Sequence, residues 1–274
     1  MGSASAILGS NDYLKDHRAH AGLGRPAQVR VGSRRLPDRP RPRTRPRPAA
    51  RTRRGWLLLD TGFNTALLRD PALRRRFYPS PNYQPELPGA GEPLEEALAT
   101  HGIDIGDITR VALSHLHVDH AGGLKHFAGR VPVHLQRAEL SYGMSNHPEP
   151  ERYSMARVDY DDPRIDWRLA DGDIEIVPGV TALLTAGHTP GHQSFVVDLA
   201  KGGGYVFACD AADLTENITH ERAIGSFKGV TAEETIAPIR RLKQIGARGD
   251  IRSIPGHDPI AWPTLTAELA ARFP

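Results

Sequence analysis

The 274-residue chain has a single cysteine. Cys209 alone cannot close an internal disulfide, so no oxidised framework is expected to hold the fold, and a reducing, cytoplasmic setting follows as the expectation. Long apolar runs are also missing. None approaches the roughly 18 residues that a membrane span needs, and the N-terminus lacks the apolar core of a secretory signal, so no membrane partner is expected. No internal repeat is visible. Acidic residues are absent from one stretch almost entirely: residues 25–54 hold twelve Arg and six Pro against Asp38 alone.

That stretch carries +11, which leaves −8 for the other 244 residues of a chain whose net charge is +3. The basic pI of about 9.1 therefore belongs to a tail and not to the body. Such a segment buries too little apolar surface to offset chain entropy, and its prolines break both helix and ladder. Three readings of it stand side by side: a disordered arm, an arm for nucleic acid or another anionic surface, or GC-rich DNA read out of frame. Residues 1–54 are accordingly set apart from a folded domain over 55–274.

From Gly55 onward the pattern alternates between strand and helix. Trp56 to Asp60 predicts a buried strand closed by Thr61-Gly62, and residues 65–77 two helical pieces with Pro71 opening the second. A helix is expected from Pro93 to about His101, a strand over 110–114 and a helix over 121–127. A strand over 131–135 and a short helix over 137–142 follow, then an irregular stretch over 143–170. Strands are expected at 174–177, 180–185, 194–199 and 204–208, a helix at 232–245, a strand at 251–254 and a closing helix at 264–272. Sheet-rich halves with helices outside predict a layered α/β domain.

The chemistry gathers at strand ends. Directly after the strand Arg110–Ser114 comes His115-Leu-His117-Val-Asp119-His120-Ala-Gly-Gly123. Two histidines two apart on extended backbone share a side, and Asp119 and His120 follow where the chain turns. Imidazoles and a carboxylate suit Zn²⁺ at roughly 2.0–2.2 Å. Three further pieces also end strands: Gly187-His188-Thr-Pro-Gly-His192, Asp210, and Pro255-Gly256-His257-Asp258. Cys209 beside Asp210 reads as a buried core cysteine, because strand alternation turns it the other way. Met144, Tyr153, Met155 and Trp167 admit two readings, an acyl-chain pocket or ordinary loop packing.

Taken together, HLHVDH, GHTPGH, the strand-end Asp and the C-terminal PGHD resemble the metallo-β-lactamase superfamily, and DTGFN, SHLHVDHAGGL and TAGHTPGHQS are most similar to its N-acyl-homoserine lactonase branch. The resemblance implies a four-layer αβ/βα sandwich with two Zn²⁺, other divalent transition metals being admissible. It implies that His115, His117 and His188 hold one ion and Asp119, His120 and His257 the other, with Asp210 bridging. His192 competes with His188 for its place, and His188 is preferred because it lies nearer the strand end. Asp60 is expected to orient a ligand imidazole. Ions about 3.5–4 Å apart share a hydroxide that attacks a carbonyl, and Asp119 passes the proton to the leaving alkoxide. The implied substrate is a lactone or ester, opened to a hydroxy acid.

One departure stands out. Many relatives of that branch carry a tyrosine three residues after the bridging Asp, where this chain has Asp213. An anion there would repel a developing oxyanion, so Asp213 is expected to point away, to be protonated or to mark a different substrate. Tyr205 and Tyr142 are candidates for the tyrosine's role. A glyoxalase II-type thioesterase uses a similar ligand set but adds a helical C-terminal domain, and only 17 residues follow His257. A nuclease of the same fold is disfavoured because a −8 body repels phosphates, which makes nucleic acid an unexpected partner.

Overall fold

The structure is a computed structural model describing residues 6–8, 27–30, 55–78, 85, 87, 90–146, 155–199, 202–225, 227 and 229–272. Leu57, Leu58 and Leu59 are all buried. Three consecutive buried residues require a strand covered on both faces, because side chains alternate. Leu57 and Leu59 join Phe195, Val197, Phe207 and Ile254 between two sheets, while Leu58 joins Leu94, Leu98 and Phe127 on the other side. Burying each such leucine contributes about 1.5–3 kcal/mol.

The first sheet has the order β1 (Ala6–Leu8), β2 (Ala27–Arg30), β3 (Trp56–Leu59), β4 (Ile108–Ala112), β5 (Pro132–Gln136), β6 (Asp166–Ala170). It is antiparallel from β1 to β3 and parallel from β3 to β6. The second has the order β11 (Ile251–Pro255), β10 (Gly204–Cys209), β9 (Gln193–Asp198), β8 (Val180–Leu184), β7 (Ile174–Val177), with only β10 and β11 parallel.

Alternation in the second sheet mirrors the first. Phe195, Val197, Tyr205 and Phe207 face the other sheet, whereas Val196, Val206 and Ala208 face Ile239, Leu242 and Ile245 of a covering helix, α8 (Ile236–Gly246). Ile218 of α7 (Thr215–His220) packs on the same side. The first sheet is covered by α3 (Pro93–Ala99), and α9 (Ala261–Arg272) inserts Trp262 and Leu265 between the sheets. The result is the expected αβ/βα sandwich. The remaining helices are α1 (Thr65–Arg69), α2 (Pro71–Phe77), α4 (Val118–Ala121), α5 (Arg137–Gly143) and α6 (Arg157–Tyr160).

Several details differ from the sequence expectations. Strands β1 and β2 lie upstream of residue 55, so the sheet takes its edge from the segment that was set apart; residues 31–54 and Tyr153 lie outside the described residues. The region 143–170 is not all irregular, since it contains α6 and β6. Strand β6 escapes a hydropathy reading because it is an edge strand whose Asp166 and Arg168 pair with each other at 2.7 Å. The helix expected over 121–127 begins instead at Val118, followed by a separate 3-10 turn at Leu124–His126. Met155 is buried in the outer core, and Met144 and Trp167 pack against it, which is the loop-packing reading. Among the described residues, no helix is long and apolar enough to cross a membrane.

Candidate metal centre

Beyond β4 the chain bends at Ser114 and runs to His117, whose φ of −68° and ψ of 156° place it as the N-cap of α4. The His117 carbonyl then accepts from His120 N (3.0 Å) and Ala121 N (2.9 Å). Asp119 and His120 thus stand in the first turn of a helix rather than in a free turn. Gly122 and Gly123 let α4 sit directly on the β3–α1 connection: a Cβ on Gly122 would lie 2.1 Å from Asn64 N, and one on Gly123 2.4 Å from the Thr61 carbonyl.

The strand ends converge. Donor atoms of His115, His117, His188 and Asp210 all lie within 4.8 Å of one another, and so do those of Asp119, His120 and His257. Asp210 divides its two oxygens between these sets. Its Oδ2 lies 3.3 Å from His188 Nε2 and 3.8 Å from His115 Nε2; its Oδ1 lies 3.0 Å from His257 Nε2 and 3.3 Å from His120 Nε2. His117 Nδ1 faces His188 Nε2 at 2.9 Å. His192 stands apart. Its Nε2 accepts the Asp210 backbone N–H (3.1 Å) and its Nδ1 lies 2.9 Å from Thr185 Oγ1, so both nitrogens are occupied within the protein.

The helpers of these ligands are also in place. Asp60 Oδ2 accepts from His120 Nδ1 at 2.9 Å, which leaves Nε2 turned inward, and Asp60 Oδ1 accepts from Ser114 N at 2.6 Å. Ser114 Oγ donates to Asp60 Oδ2 (2.9 Å) and lies 2.9 Å from His115 Nδ1. Asp60 and Cys209, ending β3 and β10, both take left-handed backbone (φ 58° and 49°), strain of the kind that collects at functional sites. His115 Nε2 and His120 Nε2 are buried without a hydrogen-bond partner. Two inward-facing imidazole nitrogens left unsatisfied around a carboxylate are what divalent transition-metal ligands require, so the residues fit such ions.

Comparison with known proteins agrees. The profile of the metallo-beta-lactamase superfamily matches residues 49–257. The chain belongs to the metallo-β-lactamase superfamily. Within that superfamily it is 31% identical over 207 residues to an N-acyl homoserine lactonase of a Bacillus species, covering 76% of this chain and 78% of that one. It is 32% identical over 173 residues to the N-acyl homoserine lactonase AttM of Azorhizobium caulinodans, covering 60% of this chain and 63% of that relative, just under two thirds. A solved N-acyl homoserine lactone hydrolase with the product N-hexanoyl-L-homoserine at its catalytic metal centre superposes with a TM-score of 0.65 at 24% identity, covering 94% of each chain. The relatives of this metallo-β-lactamase-fold chain are lactone hydrolases, and its own His/Asp cluster is a candidate divalent-metal site.

Electrostatics separates the two ligand sets of this metallo-β-lactamase site. Burial, and then the neighbouring imidazoles, holds His115 and His117 well below the usual histidine range. Burial acts the same way on His120 and His257, but Asp210 reverses it with help from Asp119, raising His120 well above its ordinary value and His257 to about 9. Burial alone would raise Asp210, yet the histidines around it, His257 foremost, hold it well below the usual carboxylate range. His192 is lowered to about 3, chiefly by burial.

Asp213 does not turn away from the cluster: its carboxylate lies within 4.8 Å of ligand atoms of Asp210 and His257. Burial first, and then the Asp210 charge, raises it to about 6, which relieves part of the like-charge repulsion. Neither tyrosine named as a substitute is placed for that role, because Tyr205 packs between the sheets and Tyr142 against the outer core. Among the described residues, Tyr78 is a tyrosine within electrostatic reach of Asp119, and the sequence did not single it out. Burial, then the charges of Asp119 and Asp159, push its hydroxyl up. Cys209 packs against the inter-sheet core but is only half-buried, and its left-handed backbone (φ 49°) interrupts the strand alternation from which a buried position was expected. Ser114 and Glu139 also went unread, although Ser114 directly precedes the histidine motif.

Proposed function

We propose that the protein is a dinuclear metal-dependent hydrolase that opens a lactone ring, with N-acyl-homoserine lactones as the substrate class and zinc as the metal. The observation that carries this reading is the division of Asp210 between two histidine sets, Oδ2 toward His115 and His188 and Oδ1 toward His120 and His257. His115, His117 and His188 are the proposed ligands of one ion, Asp119, His120 and His257 of the other, and Asp210 of both. Two ions held there would supply a nucleophilic hydroxide at neutral pH and polarise the ester carbonyl.

The chain's own residues do the rest. Asp119, in the first turn of α4, is placed to take up the proton and hand it to the leaving alkoxide, which remains attached in a ring-opened hydroxy acid. Asp60 holds His120 with its Nδ1 proton directed at a carboxylate, so that Nε2 is the free donor. His192 fixes the Asp210 backbone from behind. The proposed setting is the cytoplasm, and the proposed effect is inactivation of an acyl-homoserine lactone signal.

The test is metal analysis of the purified protein together with hydrolysis assays on an acyl-homoserine lactone, a simple lactone and a thioester. Two metals per chain and lactone turnover are expected. Fewer than one metal per chain would remove the dinuclear centre, and thioester turnover with inert lactones would move the substrate class to that of a thioesterase.

A further inference from the structure

Glu139 lies in α5, away from both ligand sets in sequence, and is fully buried. Its Oε1 accepts the backbone N–H of Leu116 at 3.0 Å and its Oε2 the backbone N–H of Gly191 at 3.0 Å. Leu116 is the residue between His115 and His117; Gly191 directly precedes His192, within the loop that carries His188. One carboxylate therefore clasps the centre of each histidine loop, one oxygen to each. The Gly191 loop lies directly on α5, since a Cβ there would stand 2.1 Å from Glu139 N.

We propose that Glu139 is a positioning residue that holds the His115–His117 and His188–His192 loops in register and thereby sets the affinity of the first metal position. This rests on the reading that His115, His117 and His188 bind a metal. The geometry makes the carboxylate specific. Both of its oxygens face N–H donors, and an amide of the same shape would turn an NH₂ group toward one of them. The first position takes its imidazoles from both clasped loops, so a shift of one loop against the other separates His117 from His188, now 2.9 Å apart. The second position takes its ligands from α4 and from the end of β11, and Asp60 orients its His120. It takes no imidazole from the His188–His192 loop, so a shift of one loop against the other reaches it only through Asp210, whose backbone His192 holds, and through His117 at the start of α4.

A neighbouring clip provides the comparison. Gln136 Nε2 donates to Gln193 Oε1 (2.9 Å) and to the Gly172 carbonyl (2.8 Å), and so ties the sheets together behind the loops without touching either histidine pair. The experiment is stepwise titration of the metal-free, full-length protein with Co²⁺, followed by its visible absorption bands, for wild type, Glu139→Gln and Gln136→Ala. Glu139→Gln is expected to weaken one of the two binding steps about 10–100-fold and to change the other much less. Gln136→Ala is expected to lower the melting temperature and leave both steps as in wild type.

Two wild-type-like steps in a folded Glu139→Gln would overturn the proposal, as would equal weakening by both variants. If Glu139→Gln does not fold, Glu139→Asp, which keeps the charge but is too short to reach both loops, undergoes the same titration. Hydrogen exchange in the wild type bears on the clasp directly: the Leu116 and Gly191 amides are expected to be strongly protected, and exchange at the rate of exposed amides would overturn it. A wild type that binds no Co²⁺ would refute the underlying metal reading instead, an outcome separate from any effect of Glu139.

Discussion

The two ligand sets on either side of Asp210 are built from the same residue types and behave in opposite ways. Burial, and then the neighbouring imidazoles, holds His115 and His117 well below the usual histidine range. For His120 and His257 the same burial is overruled by Asp210, with Asp119 beside them, which raises His120 well above its ordinary value and His257 to about 9. The balance of neighbouring carboxylates against neighbouring imidazoles, rather than depth, sets the direction in which a buried histidine shifts here. The first set is shifted toward free lone pairs and the second toward held protons.

The largest break in this contrast is expected from the residue the sets share. Asp210→Asn is expected to lower metal content from two ions toward one or fewer, and lactone turnover by at least about 10³-fold, consistent with the several kcal/mol of charge stabilisation that bound metals supply. Metal analysis with kinetics checks this, and two tightly held ions in the variant would contradict it. Next comes the choice between neighbouring histidines. His188→Ala should lose the first ion while the second is retained. His192→Ala should keep both at saturating metal but lose stability by about 1–3 kcal/mol for each group left unpaired. Denaturant unfolding and metal counts distinguish the two, and the reverse pattern would exchange their roles.

Asp60→Asn tests chiefly the second set, since Asp60 reaches the first only through Ser114. Without its carboxylate on His120 Nδ1, affinity for the second ion should fall about 10–100-fold, with a much smaller change in the first, as read by chelator competition.

Acidification gives the mildest test. Metal entry at the second set must displace the His257 proton below about pH 9, so each unit of acidification should weaken that step by up to about tenfold per proton. Between pH 8 and 6 the second ion is expected to leave first; equal slopes for both ions would contradict the assignment. In the metal-free protein the sign is opposite. A pKa raised from 6.5 to about 9 stabilises the fold fully below pH 6.5, and that contribution is lost as pH rises through about 9. Melting curves of the metal-free protein against pH read it directly.

All seven residues named from the motifs are brought into one cluster, because five lie at the end of a strand or in the connection after it, Asp119 and His120 stand in the first turn of α4, and the strand ends of both sheets meet on one rim. What supports them was less legible. Asp60 was expected to orient an imidazole, but its partner is 60 residues away. Glu139 reaches across 52 residues to Gly191, and Gln193 across 80 to the Leu113 carbonyl. No local spacing encodes such pairs. Edge strand β6 and the helical start at Val118 were missed because charge pairing and loop packing determined them rather than hydropathy.

The sequence by itself determined that this chain would build a layered α/β body, with a candidate metal-ligand set at its strand ends and its excess of positive charge in one Arg/Pro-rich stretch. Alternation along buried strands and the residue types at their ends carry that information locally. Only the tertiary structure decided which nitrogen of each histidine faces inward, how Asp210 divides its oxygens, and in which direction its neighbours shift each of the histidines His115, His117, His120 and His257. Those properties depend on contacts between groups that are distant in sequence and held out of water together.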